Sequence, residues 1–267
     1  MKNDEFGDRM KDWEGRFTKQ AVVPSQFLCV RIDGKGFSKF TKGFVKPFDD
    51  RLTKTMVDTT KELVKLTNAA IGYAQSDEIT LIYGMGEKQN EHIFGGKTSK
   101  INSILASMAT ANFNHFIQKH APVEYAGKGL AYFDCRAWGV PNKIEASNVL
   151  LWRVQDARKN SISAMMRWTC GHKAMDGLSG EQMKAYMLKE GKDWNDLPDR
   201  WKYGVYVKRE NYETELPDEV WNKIPDGKKP ESRIVTRSKI VEKDLGYYGD
   251  LSLEERVEII FGEFEGV

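Results

Sequence analysis

The chain is poor in the residues that build disulfide frameworks and zinc sites. Its three cysteines, Cys29, Cys135 and Cys170, are widely spaced and odd in number. They match no zinc-ligand spacing and suggest no disulfide scaffold, so a reducing, cytoplasmic setting is the expectation. The four histidines, His92, His115, His120 and His172, show no paired metal spacing. No serine occupies a Gly-x-Ser-x-Gly elbow, and no Cys/His pair is evident, so covalent hydrolase chemistry has no support. No apolar run approaches the length of a membrane span, and the opening "MKNDEFGDRMKDWEGR" lacks the apolar core of a secretory signal. Internal repeats and low-complexity tracts are absent. Charge of one sign is not in excess either: the net charge is +2, so any nucleic-acid binding would have to come from local basic patches.

What is present suits one large core, or one domain with an extension: 267 residues, 40% of them hydrophobic. Residues 5–19 read as a short polar helix. "FLCVRID" (27–33) reads as a buried strand. The stretch 46–66 has helical spacing at Leu52, Met56, Leu63 and Leu66, with Pro47 suiting a helix start. "AAIGYAQSDEITLIYG" (69–84) reads as a hairpin with "QSDE" at its tip. A long helix (99–120), a strand (130–140) ended by Pro141, and a helix at about 146–167 follow. The order β-α-β-β-α-β is that of the ferredoxin-like split βαβ arrangement, so the expected class is an α/β (α+β) palm. The expected division is a palm-like core over 1–167, with a mixed α/β extension over 168–267 packed on it. Within that extension, 179–191 reads as a helix, 198–211 as the start of a hairpin, 226–244 as a basic, partly extended segment, and 251–264 as an amphipathic helix.

The split βαβ topology places the first and third strands side by side. Asp33 ends the first; Asp77 and Glu78 open the third. Two close carboxylates repel unless a cation neutralises them. Hard oxygen donors of this kind suit Mg²⁺, and two such ions support phosphoryl or nucleotidyl transfer. Taken alone, "SDE" also reads as a solvated hairpin tip and "RIDG" as a polar turn. Gly34 and Gly36 straddle Lys35, with Lys39, Lys42 and Lys46 close behind; glycines there let backbone N–H groups approach an anion. "GGKTSK" (95–100) enters the long helix, whose N-terminus favours negative charge, or is simply a loop with a serine cap. It lacks Walker A glycine spacing. Arg153, Asp156 and Asn160 fall at i, i+3 and i+7 on one polar face, a surface stripe or a contact with substrate or a neighbouring subunit. By these residues alone, the chain is a nucleotidyltransferase, a palm-type nucleotide cyclase, or a non-catalytic RNA-binding module.

Five segments in order, "RIDGKGFSKFTKGFVKPFDDRL", "GYAQSDEITLIY", "KTSKINSILAS", "YFDCRAW" and "LLWRVQDARKNSI", resemble the tRNA-His guanylyltransferase superfamily, including its "-like" members that extend RNA 3′-to-5′. The resemblance implies a polymerase-like palm with two Mg²⁺ ions that adds a nucleotide, typically guanylate, to the 5′ end of tRNA. It implies Asp33 and Asp77 as metal ligands, with the backbone carbonyl of Gly34 as a third and Glu78 in support. Lys35, Gly36, Phe37, Thr41, Phe44 and Lys46 would surround the nucleotide; Ser76, Lys97 and Lys100 would contact triphosphate. Arg153, Asp156, Arg158 and Asn160 would contact RNA. ATP or GTP would activate a 5′-monophosphorylated RNA, and the 3′-hydroxyl of the incoming nucleotide would attack the activated end. A homotetramer is implied, and no membrane partner. Two departures stand out. Arg158 occupies the place of an expected histidine in the tRNA-His identity motif, and Cys135 that of a usual glycine, with Asp134 and Arg136 kept. Both favour a "-like" enzyme that repairs or extends truncated tRNA 5′ ends, with guanylylation of tRNA-His as the alternative left open.

Overall fold

A computed structural model describes residues 5–85 and 92–262. Its elements are α1 (Glu5–Thr18), β1 (Phe27–Gly34), α2 (Phe37–Phe40), α3 (Asp50–Thr67), β2 (Ile71–Gln75), β3 (Glu78–Met85), α4 (Thr98–His120) and α5 (Pro122–Tyr125). Then come β4 (Phe133–Val140), α6 (Lys143–Cys170), α7 (Gly180–Lys189), α8 (Asp199–Lys202), β5 (Val205–Glu215), α9 (Asp218–Trp221), β6 (Ile234–Lys243) and α10 (Leu253–Phe261). The strands form one antiparallel sheet in the order β4-β1-β3-β2-β5-β6. Its first four strands have the split βαβ order expected of the sequence.

Alternation along the strands divides the core. Leu28, Val30, Ile32, Ile79 and Leu81 pack against Met56, Leu63, Ile101, Leu105 and Phe113 of α3 and α4. Phe27, Cys29, Ile71, Tyr73 and Ile82 point the other way, onto Leu150, Val154 and Ala157 of α6 and Ile260 of α10. Both faces of the sheet's central strands are therefore covered by helices. The far half of α6 carries a third cluster, in which Ile162, Met165 and Met166 meet Met187 and Trp194.

Several boundaries differ from the sequence reading, each for a local reason. Helix α3 starts at Asp50 rather than at Pro47, because the Asp49 carboxylate accepts the Arg51 backbone N–H at 3.0 Å and caps the first turn. Helix α4 has no serine cap: Lys97 is its N-cap residue, without a side-chain bond. Helix α6 is longer at both ends, with Asn142 as its N-cap and Gly171 as its C-cap. The strand expected from residue 130 starts at Phe133. The segments 198–211 and 226–244 supply β5 and β6, joined by a long connection rather than a tight hairpin. Only Val205–Lys208 of β5 pair with β2; the rest of β5 continues past it as a two-stranded ribbon with β6. Residues 263 and 264 of the expected last helix lie outside the described residues. Among the described residues, no helix is long and apolar enough to cross a membrane.

Candidate active site

Antiparallel pairing sets Asp33 directly opposite Glu78 on β3 and directly opposite Asp134 on β4. Opposed residues share a face, so all three lie on the α6 side of the sheet at one end. Asp77 sits in the two-residue turn before Glu78, where Ser76 adopts a left-handed φ of 52°. The Ser76 hydroxyl donates to the Asp77 carboxylate at 3.0 Å, and the Gly34 N–H donates to the Asp77 carbonyl at 3.0 Å. That second bond ties the end of β1 to the turn.

Burial pushes the Asp77 carboxyl above its ordinary range, and the Asp33 charge adds to the push. The Glu78 carboxyl is also raised, by burial first, with Asp33 adding to it; Arg153 and Arg31 pull it back without cancelling the shift. Arg153 grips Glu78 with two hydrogen bonds, from Nε at 2.6 Å and Nη2 at 2.9 Å. Arg31 Nε lies 3.8 Å from the same carboxylate. Both arginines are thus turned to Glu78. Among the described residues, neither Asp33 nor Asp77 takes part in an ion pair.

The glycine loop divides into a lining and a support. Gly34 has no room for a side chain: a Cβ there would come within 2.3 Å of the Phe37 ring. Gly36 holds a φ of 66°. The Lys35 N–H donates to the Tyr132 carbonyl at 2.8 Å. Phe37 is buried among Phe40, Phe113 and Phe133, with ring centroids 5.1–5.2 Å away. Thr41 is buried too; its hydroxyl donates to the Phe37 carbonyl at 2.8 Å and accepts from Lys46 Nζ at 2.9 Å. An open cleft of about 160 Å³ runs beside the turn, lined by Phe44, Lys46, Gln75, Ser76, Asn160 and Trp201, among others. Phe44, Lys46 and Ser76 therefore border the cleft, whereas Phe37 and Thr41 stand behind it.

On α6, Asp156 accepts from Arg153 Nη2 at 2.9 Å and from Asn160 Nδ2 at 3.1 Å, which links three of the sequence-selected residues in one chain of contacts. Arg153 is only 6% exposed, so it supports the site from within. Arg158 faces elsewhere and pairs with Glu181 at 3.0 Å. Lys97 and Lys100 lie at the opposite end of the sheet. Ala21 bridges to Lys97, the Val22 N–H donates to the Gly96 carbonyl at 2.9 Å, and Val22 lies against the Gly139 backbone, which pairs with Leu28 near the start of β1. A strand of this length separates them from Asp33 by about 20 Å within one chain.

These carboxylates and this cleft sit on a chain whose relatives are known. The model of the tRNAHis guanylyltransferase family matches residues 7–141. The chain belongs to the tRNAHis guanylyltransferase family. It is similar to a bacterial tRNA(His) guanylyltransferase-like protein solved in complex with ATP, with 37% identity, a TM-score of 0.70, and coverage of 76% of this chain and 88% of that one. It is also similar to a bacterial tRNA(His) guanylyltransferase-like protein in complex with GTP, with 30% identity, a TM-score of 0.72, and coverage of 97% and 100%. The tRNA(His) guanylyltransferase of Saccharomyces cerevisiae is 29% identical over 225 residues, covering 78% of this chain and 92% of the yeast protein.

Membership in the tRNAHis guanylyltransferase family decides among the readings that the residues left open. The chain is a nucleotidyltransferase that adds nucleotides to tRNA in the 3′-to-5′ direction. Among the described residues, no three His, Cys, Asp or Glu side chains gather into a metal-holding cluster. Asp33 and Asp77, which have no ion-pair partner among the described residues, fit Mg²⁺; the Asp77 carboxyl is raised by burial first and by the Asp33 charge after it, and Mg²⁺ typically takes one or two carboxylates and completes its shell with water and phosphate. Sequence reasoning missed Arg31, although its position two residues before Asp33 puts it on the same strand face. It also missed Trp201, from α8, which stacks on Phe48 with centroids 5.2 Å apart at the cleft.

Proposed function

We propose that the enzyme repairs or extends truncated tRNA 5′ ends with GTP and ATP as nucleotide substrates, using Mg²⁺ held by Asp33, Asp77 and the backbone carbonyl of Gly34. The observation that carries this is the pairing of Asp33 and Asp77: two carboxylates at the tip of β1 and the β2–β3 turn, without an ion-pair partner among the described residues, beside a cleft lined in part by Ser76. When bound, Mg²⁺ supplies charge neutralisation and activation of an attacking hydroxyl. Lys46 and Ser76 hold triphosphate oxygens at the cleft. Glu78 does not bind metal directly, because Arg153 occupies both its oxygens; it positions β3 instead. The bound GTP and ATP of the bacterial relatives support nucleoside triphosphates as substrates here.

The repair-type activity rests on Arg158, which stands where the tRNA-His identity motif has histidine and pairs with Glu181 on α7. The enzyme works as a homotetramer. Lys97 and Lys100 reach a triphosphate only at the site of a neighbouring copy, since about 20 Å separate them from Asp33 in their own. A 5′-end extension assay tests the whole reading, with Mg²⁺, ATP and all four nucleoside triphosphates on full-length tRNA-His and on tRNAs lacking the first 5′ nucleotide. Templated extension of the truncated tRNAs, lost in Asp33→Ala, is the expected result. Addition of G to full-length tRNA-His alone would overturn the repair reading, and no extension of any RNA would overturn both.

A further inference from the structure

Trp152 is the part of the "LLWRVQD" segment that the site so far leaves without a role. Its neighbours on α6, Leu150 and Val154, are fully buried, yet Trp152 is 50% exposed. Two guanidinium groups hold it. Arg153 Cζ lies 4.4 Å from the ring centroid and Arg31 Cζ 5.7 Å from it. Both arginines are themselves tied to Glu78, the cross-strand neighbour of Asp33. A large aromatic surface is thus anchored, open to solvent, one residue pair from the reacting carboxylates. Arg136, exposed and directly opposite Arg31 on β4, lies beside it, with its guanidinium 3.4 Å from the exposed Asp134 carboxylate.

The position of the cleft gives this surface its meaning. The cleft lies on the β2 and α8 side of the Asp77 turn, while Trp152 lies on the β1 side with Arg31. The carboxylates stand between them, and the reaction joins two substrates there. The cleft takes the incoming nucleotide; the other side is left for the RNA end. The last base of an RNA helix has one π-face with nothing stacked on it. An aromatic ring covers such a face whatever the base, and arginines beside it meet the phosphates. We propose that Trp152 is the end-stacking platform for the 5′-terminal base of the RNA, with Arg31 and Arg136 receiving its backbone. This rests on the reading of the site given above. Because stacking does not depend on base identity, the platform serves every round of extension equally.

Steady-state kinetics on a tRNA lacking its first nucleotide test the proposal. Trp152→Ala should raise the KM for RNA by about 10-fold or more while the KM for nucleotide stays within about twofold, and Trp152→Phe should recover most of the loss. A second measurement does not need turnover: 2-aminopurine at the RNA 5′ end should be quenched by wild type and by Asp77→Ala, but not by Trp152→Ala. Unchanged RNA KM and unchanged quenching in Trp152→Ala would overturn the platform. So would a joint rise of both KM values that Trp152→Phe fails to rescue, since that is the mark of a packing role through Arg153. A wild type that extends no RNA would sink the enzyme reading alone, because the quenching still decides Trp152.

Discussion

Arg153 of α6 reaches across to β3 and donates to both oxygens of Glu78, at 2.6 and 2.9 Å. The pair is buried, and it fixes the helix over the end of the sheet where Asp33 and Asp77 meet. Removing the arginine strands a carboxylate in a dry environment. Arg153→Ala should destabilise the fold by about 3–5 kcal/mol, measured by denaturant unfolding. Arg153→Lys should restore only part, because an ammonium cannot bridge both oxygens. A loss no larger than that of an exposed arginine would show that the pair does not organise the site.

The raised carboxyl of Asp77 makes stability depend on pH and on cation. A carboxylate whose native pKa is raised favours the folded state while protonated. That stability is lost as pH rises from the ordinary value of 3.8 through the raised native value. Asp77→Asn should therefore melt at a higher temperature than wild type at pH 7 in metal-free buffer, and the gain should vanish below the ordinary carboxylate range. Mg²⁺ should raise the melting temperature of wild type but not of Asp77→Asn, while the variant loses extension activity. Equal responses of the two proteins to Mg²⁺ would remove Asp77 from the ligand set.

Gly34 leaves space that Phe37 fills. A Cβ at 34 would stand 2.3 Å from the Phe37 ring, so Gly34→Ala should destabilise by about 1–3 kcal/mol through overpacking. Trimming the ring in a Gly34→Ala/Phe37→Leu double variant should recover part of the loss. Thermal melts of the two single variants and the double variant check this, and strict additivity would show that the residues are not in conflict.

The distance between Lys97 and Asp33 predicts complementation between copies. Asp77→Ala and a Lys97→Ala/Lys100→Ala variant should each be inactive alone, and mixing them with subunit exchange should restore part of the extension activity. A doubly substituted lysine variant with full activity would mean that these side chains take no part in the reaction.

Much of this site is legible in the sequence because it is built from local pattern. The apolar run before Asp33, the two strands around "QSDE" and the helical spacing between them specify β1, the hairpin and their neighbours. The split βαβ order then brings Asp33 next to Glu78. What the sequence does not carry is direction and partner. Periodicity places Arg153, Asp156 and Asn160 on one side of α6, but only packing on the sheet shows that Arg153 points inward to Glu78. Phe37 follows a glycine loop and could have faced either nucleotide or core; the rings of Phe113 and Phe133, far away in sequence, decide for the core. Lys97 and Lys100 resemble phosphate ligands by composition, yet β3 runs away from Asp77 and sets them at the far end. Side-chain period is a property of neighbouring residues and survives in a one-dimensional string. Which groups share a charge, a cavity or a sheet end depends on contacts between distant segments, and those exist only once the chain has folded.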